Sequence, residues 1–314
     1  MTLMADRFGF GCGRIQAGFS ESASARLVHQ ALDCGIRYFD TAPSYGGGAS
    51  ERILGRCVQH VRREVEICTK IGLARGHTYF FADSLRAAVR LMGRPAARTL
   101  SRWFSERHAS AAAIREYGDF YEQLLKTSLE ESLRELRTDY VDCLLLHEPR
   151  LNDPPSGVAA QLRAMVGDGI TRRVGVGTGR GLDELPAFGE VAQCRLGHRV
   201  IESGEQRQLI VHGIFRNLDL DKLRSSAAAS GLWQSKPDIC QRYLNDAIGA
   251  GTFVAIALLT CTQTRRILVS TSSRRTLRNF ALSATRLSEE LTTSDEPCNT
   301  ALLATLTRYV GSRG

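Results

Sequence analysis

Short apolar runs alternate with helix-period patterns from one end of this chain to the other, and that alternation restricts its fold more than any other feature. Strands separated by helices pair in parallel, because each crossover brings the chain back to the same end of the sheet. Ile36–Asp40, Val65–Lys70, Tyr140–His147, Arg173–Gly177, Arg199–Glu202, Gln208–His212 and Ile267–Ser270 read as strands. Between them, Ser22–Cys34, Ser50–Val61, Tyr121–Arg137, Pro155–Gly167, Leu182–Ala192, Leu220–Ser230, Asp238–Ile248 and Ser273–Ala284 read as helices. The pattern is clearest in Tyr121–Arg137, where Leu124, Leu125, Leu129, Leu133 and Leu136 fall on one stripe. About eight strand-helix units is the number that closes a (β/α)8 barrel of the TIM type, so the expected class is α/β with a closed parallel barrel. An open doubly wound sheet is the competing architecture.

Two segments break the rhythm. Residues 72–120 hold Phe80, Phe81, Trp103 and Phe104 and are too long for an ordinary connection, so they are expected to form an excursion over the barrel mouth. Residues 288–314 read as a C-terminal helix or tail. The whole chain, 1–314, is expected to be one barrel domain.

Composition narrows the function classes. With 314 residues, 43% hydrophobic and 24% charged, the chain is in the globular range. Its longest apolar stretch, near Phe253–Leu259, is too short to span a bilayer. The first residues lack the pattern of an export signal. Nine cysteines are scattered from Cys12 to Cys298 without a C-x-x-C pair, which argues against a disulfide framework or a metal site and fits a cytoplasmic protein. The net charge of +8 would suit a nucleic-acid binder, but the arginines cluster in two places, Arg86–Arg115 and Arg265–Arg278. The first cluster has no nucleic-acid motif and reads as a solvated basic loop; the second reads as a phosphate site.

Chemistry concentrates where apolar strands stop. Tyr38-Phe39-Asp40 ends one strand and Ser44-Tyr45-Gly46 follows on its loop; Ile67-Cys68-Thr69-Lys70 ends the next, and Cys143-Leu144-Leu145-Leu146-His147 the one after. Singly, each has a plain structural explanation: a helix cap, a surface tyrosine, a solvated lysine, a histidine satisfying a backbone group. In consecutive βα units of a barrel, they share the face where active sites lie. Carbonyl reduction needs a proton for the developing alkoxide. Tyr45 is the expected donor, with Lys70 expected to lower its pKa, Asp40 to hold Lys70, and His147 to orient the substrate oxygen.

These residues carry a resemblance. Phe39-Asp40-Thr41-Ala42-Pro43-Ser44-Tyr45-Gly46, with Ser50-Glu51 and Leu54-Gly55 after it, is similar to the first signature of the aldo-keto reductases. Thr69-Lys70-Ile71-Gly72 resembles their catalytic lysine segment. Leu129-Glu130-Glu131-Ser132-Leu133-Arg134-Glu135-Leu136, then Thr138-Asp139-Tyr140-Val141-Asp142 and Leu145-Leu146-His147, resembles their second signature. The resemblance implies a Tyr45, Lys70, Asp40 and His147 tetrad and a nicotinamide cofactor extended across the barrel mouth. Gly175-Val176-Gly177-Thr178-Gly179-Arg180-Gly181 is then a strand and loop, and its spacing is no clean dinucleotide fingerprint.

Near the end, Ile267-Leu268-Val269-Ser270-Thr271-Ser272-Ser273-Arg274-Arg275-Thr276-Leu277-Arg278-Asn279 resembles the family's adenosine-phosphate segment. The resemblance places Ser270 and Ser272 at hydroxyl positions, Arg275 on the 2′-phosphate with Arg274 or Arg278 assisting, and Asn279 near the adenine, and Thr271 is expected among the cofactor-binding residues. A helix opening near Ser273 independently offers free amides and a positive dipole end to an anion, and the arginines favour NADP(H) over NAD.

The middle of the barrel departs from the family pattern. Thr178 stands where a Ser-Asn pair is usual, Glu202 is the nearest equivalent to a usual sixth-strand Gln, and His212 replaces the aromatic that stacks on the nicotinamide. The expected activity is NADP(H)-dependent reduction of an aldehyde or ketone, or oxidation of an alcohol or sugar lactol, without a metal. Its partners are a small-molecule substrate and no nucleic acid or membrane, in a monomer or small homo-oligomer. A non-catalytic NADP-binding barrel is the alternative.

Overall fold

The computed structural model describes residues 2–15, 21–73, 117–202, 204–216, 218–292 and 296–311. Eight parallel strands close a barrel in sequence order: β1 Phe8–Gly11, β2 Tyr38–Asp40, β3 Glu66–Ile71, β4 Cys143–His147, β5 Val174–Gly177, β6 Val191–Arg195, β7 Gln208–His212 and β8 Thr264–Val269. The last strand pairs with the first, Gly9 opposite Leu268, so the barrel holds and the open sheet does not.

Alternation along the strands builds two layers of core. Tyr38, Cys68, Cys143, Leu145, Val191, Ile210 and Leu268 fill the interior of the barrel. Their outward-facing neighbours, such as Phe39, Ile67, Leu144 and Leu146, pack beneath the helices. Gly9 makes room for the inner layer, since a Cβ there would lie 2.6 Å from Leu268 and 2.7 Å from Tyr38. The opposite, N-terminal mouth is plugged by charge: Glu66 pairs with Arg173 and with Arg266, and the Arg266 guanidinium lies 4.1 Å from the centre of the Tyr38 ring.

Three expectations for secondary structure change. Leu182–Ala192 is not a helix: a 3-10 turn, Leu182–Glu184, gives way to β6, and Gly189, at φ +75°, turns the chain so tightly that a Cβ would sit 2.5 Å from the Val174 carbonyl oxygen. The apolar spacing of Leu182 and Leu185 mimics a helical stripe because both are buried by the turn. The segment expected to be extended, Arg199–Glu202, lies instead in a short helix, His198–Glu202. Asp238–Ile248 is split, because Asp246 accepts hydrogen bonds from Ile248 N and Gly249 N, both at 2.8 Å, and so starts a new helix, Ala247–Cys261. That helix is apolar all round because it is enclosed, with every residue from Gly249 to Leu259 buried. Among the described residues, no helix is long and apolar enough to cross a membrane.

The C-terminal region forms two helices, Arg274–Thr292 and Glu296–Gly311. The second packs on Leu220–Ala229, with Leu302, Leu306 and Tyr309 buried and the Tyr309 hydroxyl accepting from Asp219 N at 3.2 Å. Residues 74–116 of the expected excursion lie outside the described residues, and with them Phe80, Phe81, Trp103, Phe104 and the basic cluster from Arg86 to Arg115. Where the chain returns, Gly118 N donates to Glu148 O at 2.8 Å and Asp119 N to Gly72 O at 3.0 Å, which ties both ends of the excursion to the C-terminal rim of the barrel.

Candidate active site

Four side chains from β2, its loop, β3 and β4 meet at that rim. In β3, the pleat sends Cys68 and Lys70 inward and Thr69 outward, where its hydroxyl donates to buried Glu51 at 2.6 Å and ties the strand to the helix Ala49–Val58. The Lys70 ammonium, 2% exposed, donates to Asp40 Oδ1 at 2.7 Å and to the Thr41 carbonyl oxygen at 3.0 Å, and reaches the Tyr45 hydroxyl at 3.3 Å. The loop bearing Tyr45 is fixed by Tyr45 N donating to Ala42 O at 3.0 Å and by a Thr41–Ser50 hydroxyl bond of 2.9 Å. His147 meets the Tyr45 ring edge-on, with ring centres 5.9 Å apart. The sequence-derived set of Tyr45, Lys70, Asp40 and His147 is therefore brought together in one place.

Its electrostatics differ from the sequence-based expectation in one respect. Lys70 was expected to make the phenol more acidic; burial pushes the Tyr45 phenol up to about 12 against the pull of Lys70, with Asp40 adding to the rise. Burial alone would lower the Lys70 pKa, but Asp40 and Tyr45 more than offset it, so the pKa is raised and the ammonium persists. His147 is held well below its usual pKa by burial and then by Lys70, and is neutral. The site thus presents a protonated phenol, a cation and a neutral imidazole.

Tyr45 and Asp40 open onto a cavity of about 500 Å³ whose wall includes Gly13, Gln193, His212 and Ser270. Gln193 is the residue that sequence reasoning missed when it looked to Glu202. Its signal was present, a glycine at 189 followed by the apolar alternation of β6, but was hidden by the false helix. Gln193 is buried, and its Oε1 has no partner among the described residues. Thr178 is fully committed instead: its hydroxyl donates to Glu148 Oε2 at 2.5 Å and accepts from Arg180 N at 3.1 Å and Arg180 Nε at 3.2 Å. The Thr178 carbonyl lies 2.8 Å from His212 Nε2, an acceptor that fixes the ring with that nitrogen protonated. Burial, outweighing this bond, lowers the His212 pKa.

The expected phosphate segment leaves β8 at the same rim. Ser270 lines the cavity, the Thr271 hydroxyl accepts from Ser273 N at 3.1 Å, and Ser273 Oγ accepts from Thr276 N at 3.2 Å, capping Arg274–Thr292. Ser272, Arg274, Arg275 and Arg278 are exposed around the start of that helix. Arg278 lies near Cys34, whose thiol it draws downward against the larger effect of burial. Asn279 instead lines a separate cavity of about 380 Å³ with Arg242, Asp246 and Arg286. The structure therefore places Ser270 with the tetrad, whereas Asn279 lines a different pocket. Among the described residues, no cluster of three or more His, Cys, Asp or Glu side chains is placed to hold a metal ion.

Residues 7–185, more than half of the chain, match the model of the aldo/keto reductase family. The chain belongs to that family. It is 28% identical over 176 residues to D-threo-aldose 1-dehydrogenase of a Pseudomonas species, covering 54% of this aldo/keto reductase and 49% of the relative. It is 27% identical over 236 residues to 6-dehydroglucose reductase of Agrobacterium fabrum, covering 74% and 68% respectively. The chain spans about half the length of the first curated relatives it matches. An aldo-keto reductase from Bacillus halodurans, solved in its holo form, shares the fold with a TM-score of 0.61 at 18% identity over 95% of this chain and 91% of that one. Carbonyl and sugar oxidoreduction is the general chemistry of the relatives that bear these family names.

Proposed function

We propose that the chain is an NADP(H)-dependent oxidoreductase that reduces an aldehyde or ketone to an alcohol, or runs the reverse reaction on an alcohol or sugar lactol, with Tyr45 as the proton donor. The observation that carries this reading is a phenol 3.3 Å from a buried ammonium, opening onto a cavity at the C-terminal ends of the strands. Two relatives named for an aldose and a dehydroglucose support a sugar-sized substrate.

The chain's own groups fit a nicotinamide nucleotide. Gln193 offers a buried amide oxygen without a partner among the described residues, Gly13 borders the Tyr45 ring, where an added Cβ would already be in contact at 3.8 Å, and Ser270 continues the wall toward the helix start at Arg274. Gln193 and His212 would take the carboxamide end. Ser270, Ser272 and the backbone amides after them would take the phosphates, with Arg275 on the 2′-phosphate. The cofactor, when bound, supplies or accepts the hydride.

Each residue then has a defined part. Tyr45, with a pKa near 12, holds its proton at neutral pH until an alkoxide, a stronger base, develops beside it. Lys70 stabilises the phenolate as the proton leaves, and Asp40 keeps that ammonium aimed at the phenol oxygen. Neutral His147, beside Tyr45, orients the substrate oxygen without competing for its proton. The free thiols of all nine cysteines support a cytoplasmic setting.

Consumption of NADPH with a panel of aldehydes, ketones and aldoses tests the reading. Tyr45→Phe is expected to lower kcat by at least about 10²-fold while nucleotide binding persists; equal rates would remove Tyr45 from the mechanism. Arg275→Ala is expected to weaken NADPH about tenfold and leave NADH unchanged; an unaltered preference places the 2′-phosphate elsewhere. NADPH binding with no turnover on any carbonyl would favour the non-catalytic barrel.

A further inference from the structure

A second concavity, about 760 Å³, opens beside the catalytic cavity and shares Gly213 and Arg216 with it. Arg195 from the end of β6, Arg216 from the turn after β7 and Lys222 from the first turn of Leu220–Ala229 converge on it. Gly213 makes that convergence possible: at φ +78° it bends the chain so that Arg216 N donates to its carbonyl at 3.0 Å. The stem of Arg195 lies against it, where a Cβ would be 3.2 Å from Arg195 Cγ.

Three cations and one carboxylate line this groove, which leaves it net positive. Its acidic lining residue, Asp219, directs Oδ1 to Lys222 N at 2.9 Å as the cap of Leu220–Ala229. The nearby Glu202 carboxylate is paired with His198 at 3.0 Å. Among the described residues, no carboxylate forms an ion pair with Arg195, Arg216 or Lys222. Several other surface arginines are matched: Arg52 to Glu21, Arg207 to Glu205, Arg286 to Glu290. Three like charges facing one concavity repel one another unless an anion lies between them.

We propose that this groove is a binding site for a small phosphate-bearing metabolite, separate from the nicotinamide nucleotide, held by Arg195, Arg216 and Lys222. The volume admits a sugar phosphate or a di- or triphosphate, and guanidinium groups suit phosphate oxygens in bidentate geometry. Because Arg216 also faces the catalytic cavity, occupancy of the groove alters the field there, and the two sites are coupled in both directions.

The test is calorimetric titration of the full chain with inorganic pyrophosphate, with and without saturating NADP+. Wild type is expected to bind in both conditions, more weakly at higher salt. Arg195→Ala and Lys222→Ala are each expected to weaken binding about tenfold or more, and Arg195→Lys to retain most of it. Melting curves of the same variants report whether each still folds; should an alanine variant not fold, Arg195→Gln and Lys222→Gln give the same reading with the side-chain bulk kept. Three results overturn the proposal: no binding to wild type, binding indifferent to both residues, or binding abolished by NADP+, which would make the groove part of the cofactor's own site. A single-stranded oligonucleotide that binds through these residues where pyrophosphate does not would also overturn it, in favour of a nucleic-acid contact. Titration needs no turnover, so a failure of the proposed reaction leaves this result readable, and the reverse.

Discussion

Replacing Asp40 with asparagine isolates the charge that governs the tetrad. Lys70 and Asp40 are 2% and 3% exposed and 2.7 Å apart, and the ammonium has two further acceptors, the Thr41 carbonyl and the Tyr45 hydroxyl. Asparagine keeps an acceptor near Lys70 but removes the compensating charge. Breaking a buried pair by removing one partner costs roughly 3–5 kcal/mol, and the retained acceptor puts this change near 3.

The sign of the pH dependence follows from the two states. In the native protein the Lys70 pKa stands above its usual value, so its contribution is complete below about 10.4, the unfolded value, and is lost as pH rises through the folded one. Without Asp40, the strongest influence opposing burial is gone, and the folded pKa is expected to fall below that of an unfolded lysine. The variant then carries a penalty that is full at neutral pH and fades as pH rises toward about 10.4. Urea unfolding of both proteins should therefore give a gap near 3 kcal/mol at pH 7 that narrows by pH 10. Asp40 also raises the Tyr45 pKa, so the alkaline limb of the proposed reductase activity should move to lower pH in the variant. Equal midpoints at pH 7, or a gap that widens with pH, would refute the assignment of Asp40 as the charge that sustains Lys70.

Two further changes probe the frame that holds the site. Glu66 sits between Arg173 and Arg266 at the far mouth of the barrel; burial raises its pKa, but the two arginines lower it further, so its contribution is present above about 4.3 and lost as pH falls through the folded value. Glu66→Gln should reduce stability by about 1 kcal/mol at pH 7, its partial exposure allowed for, and should flatten the acid limb of an unfolding series. Gly189→Ala should cost more than about 1 kcal/mol, and more than Gly169→Ala, by urea unfolding. Both glycines have positive φ, +75° and +74°, but a Cβ would crowd Val174 only at 189 and meets nothing within 4 Å at 169. Equal losses would show that the β5–β6 approach is not what requires a glycine there.

Much of the barrel was readable because its strands announce themselves locally. β7 matches its expected bounds, Gln208–His212, and Asp40, Lys70 and His147 each close an apolar run, so a strand end, a barrel face and a shared pocket follow in turn. The failures came where local pattern and tertiary environment disagree. Leu182 and Leu185 are apolar for the sake of a buried turn, and Ala247–Cys261 lacks a polar face because it is enclosed on all sides, which removes the periodicity by which a helix is recognised. The direction of the Tyr45 pKa was missed for a related reason. Sequence supplies the neighbouring charge, whereas the depth of burial that outweighs it is a property of the assembled pocket.

Glu148 shows how far that distinction reaches. It follows His147 with a left-handed φ of +55°, and from there its carboxylate crosses to β5, taking the Thr178 hydroxyl and Gly179 N, the latter at 2.6 Å. A threonine at a strand end looks free to read a ligand amide; here its hydroxyl is already saturated and its carbonyl holds His212. The unclaimed acceptor on this side of the cavity is Gln193 Oε1, on a strand that the sequence concealed. In the proposed reaction, proton handling rests on residues whose positions adjacent strand ends dictate, and ligand recognition on bonds between β4, β5 and β7. Gln193 stands on the sixth strand, where the family's glutamine is usual, so the departure read there from the sequence falls away, while Thr178, in place of a Ser-Asn pair, remains one.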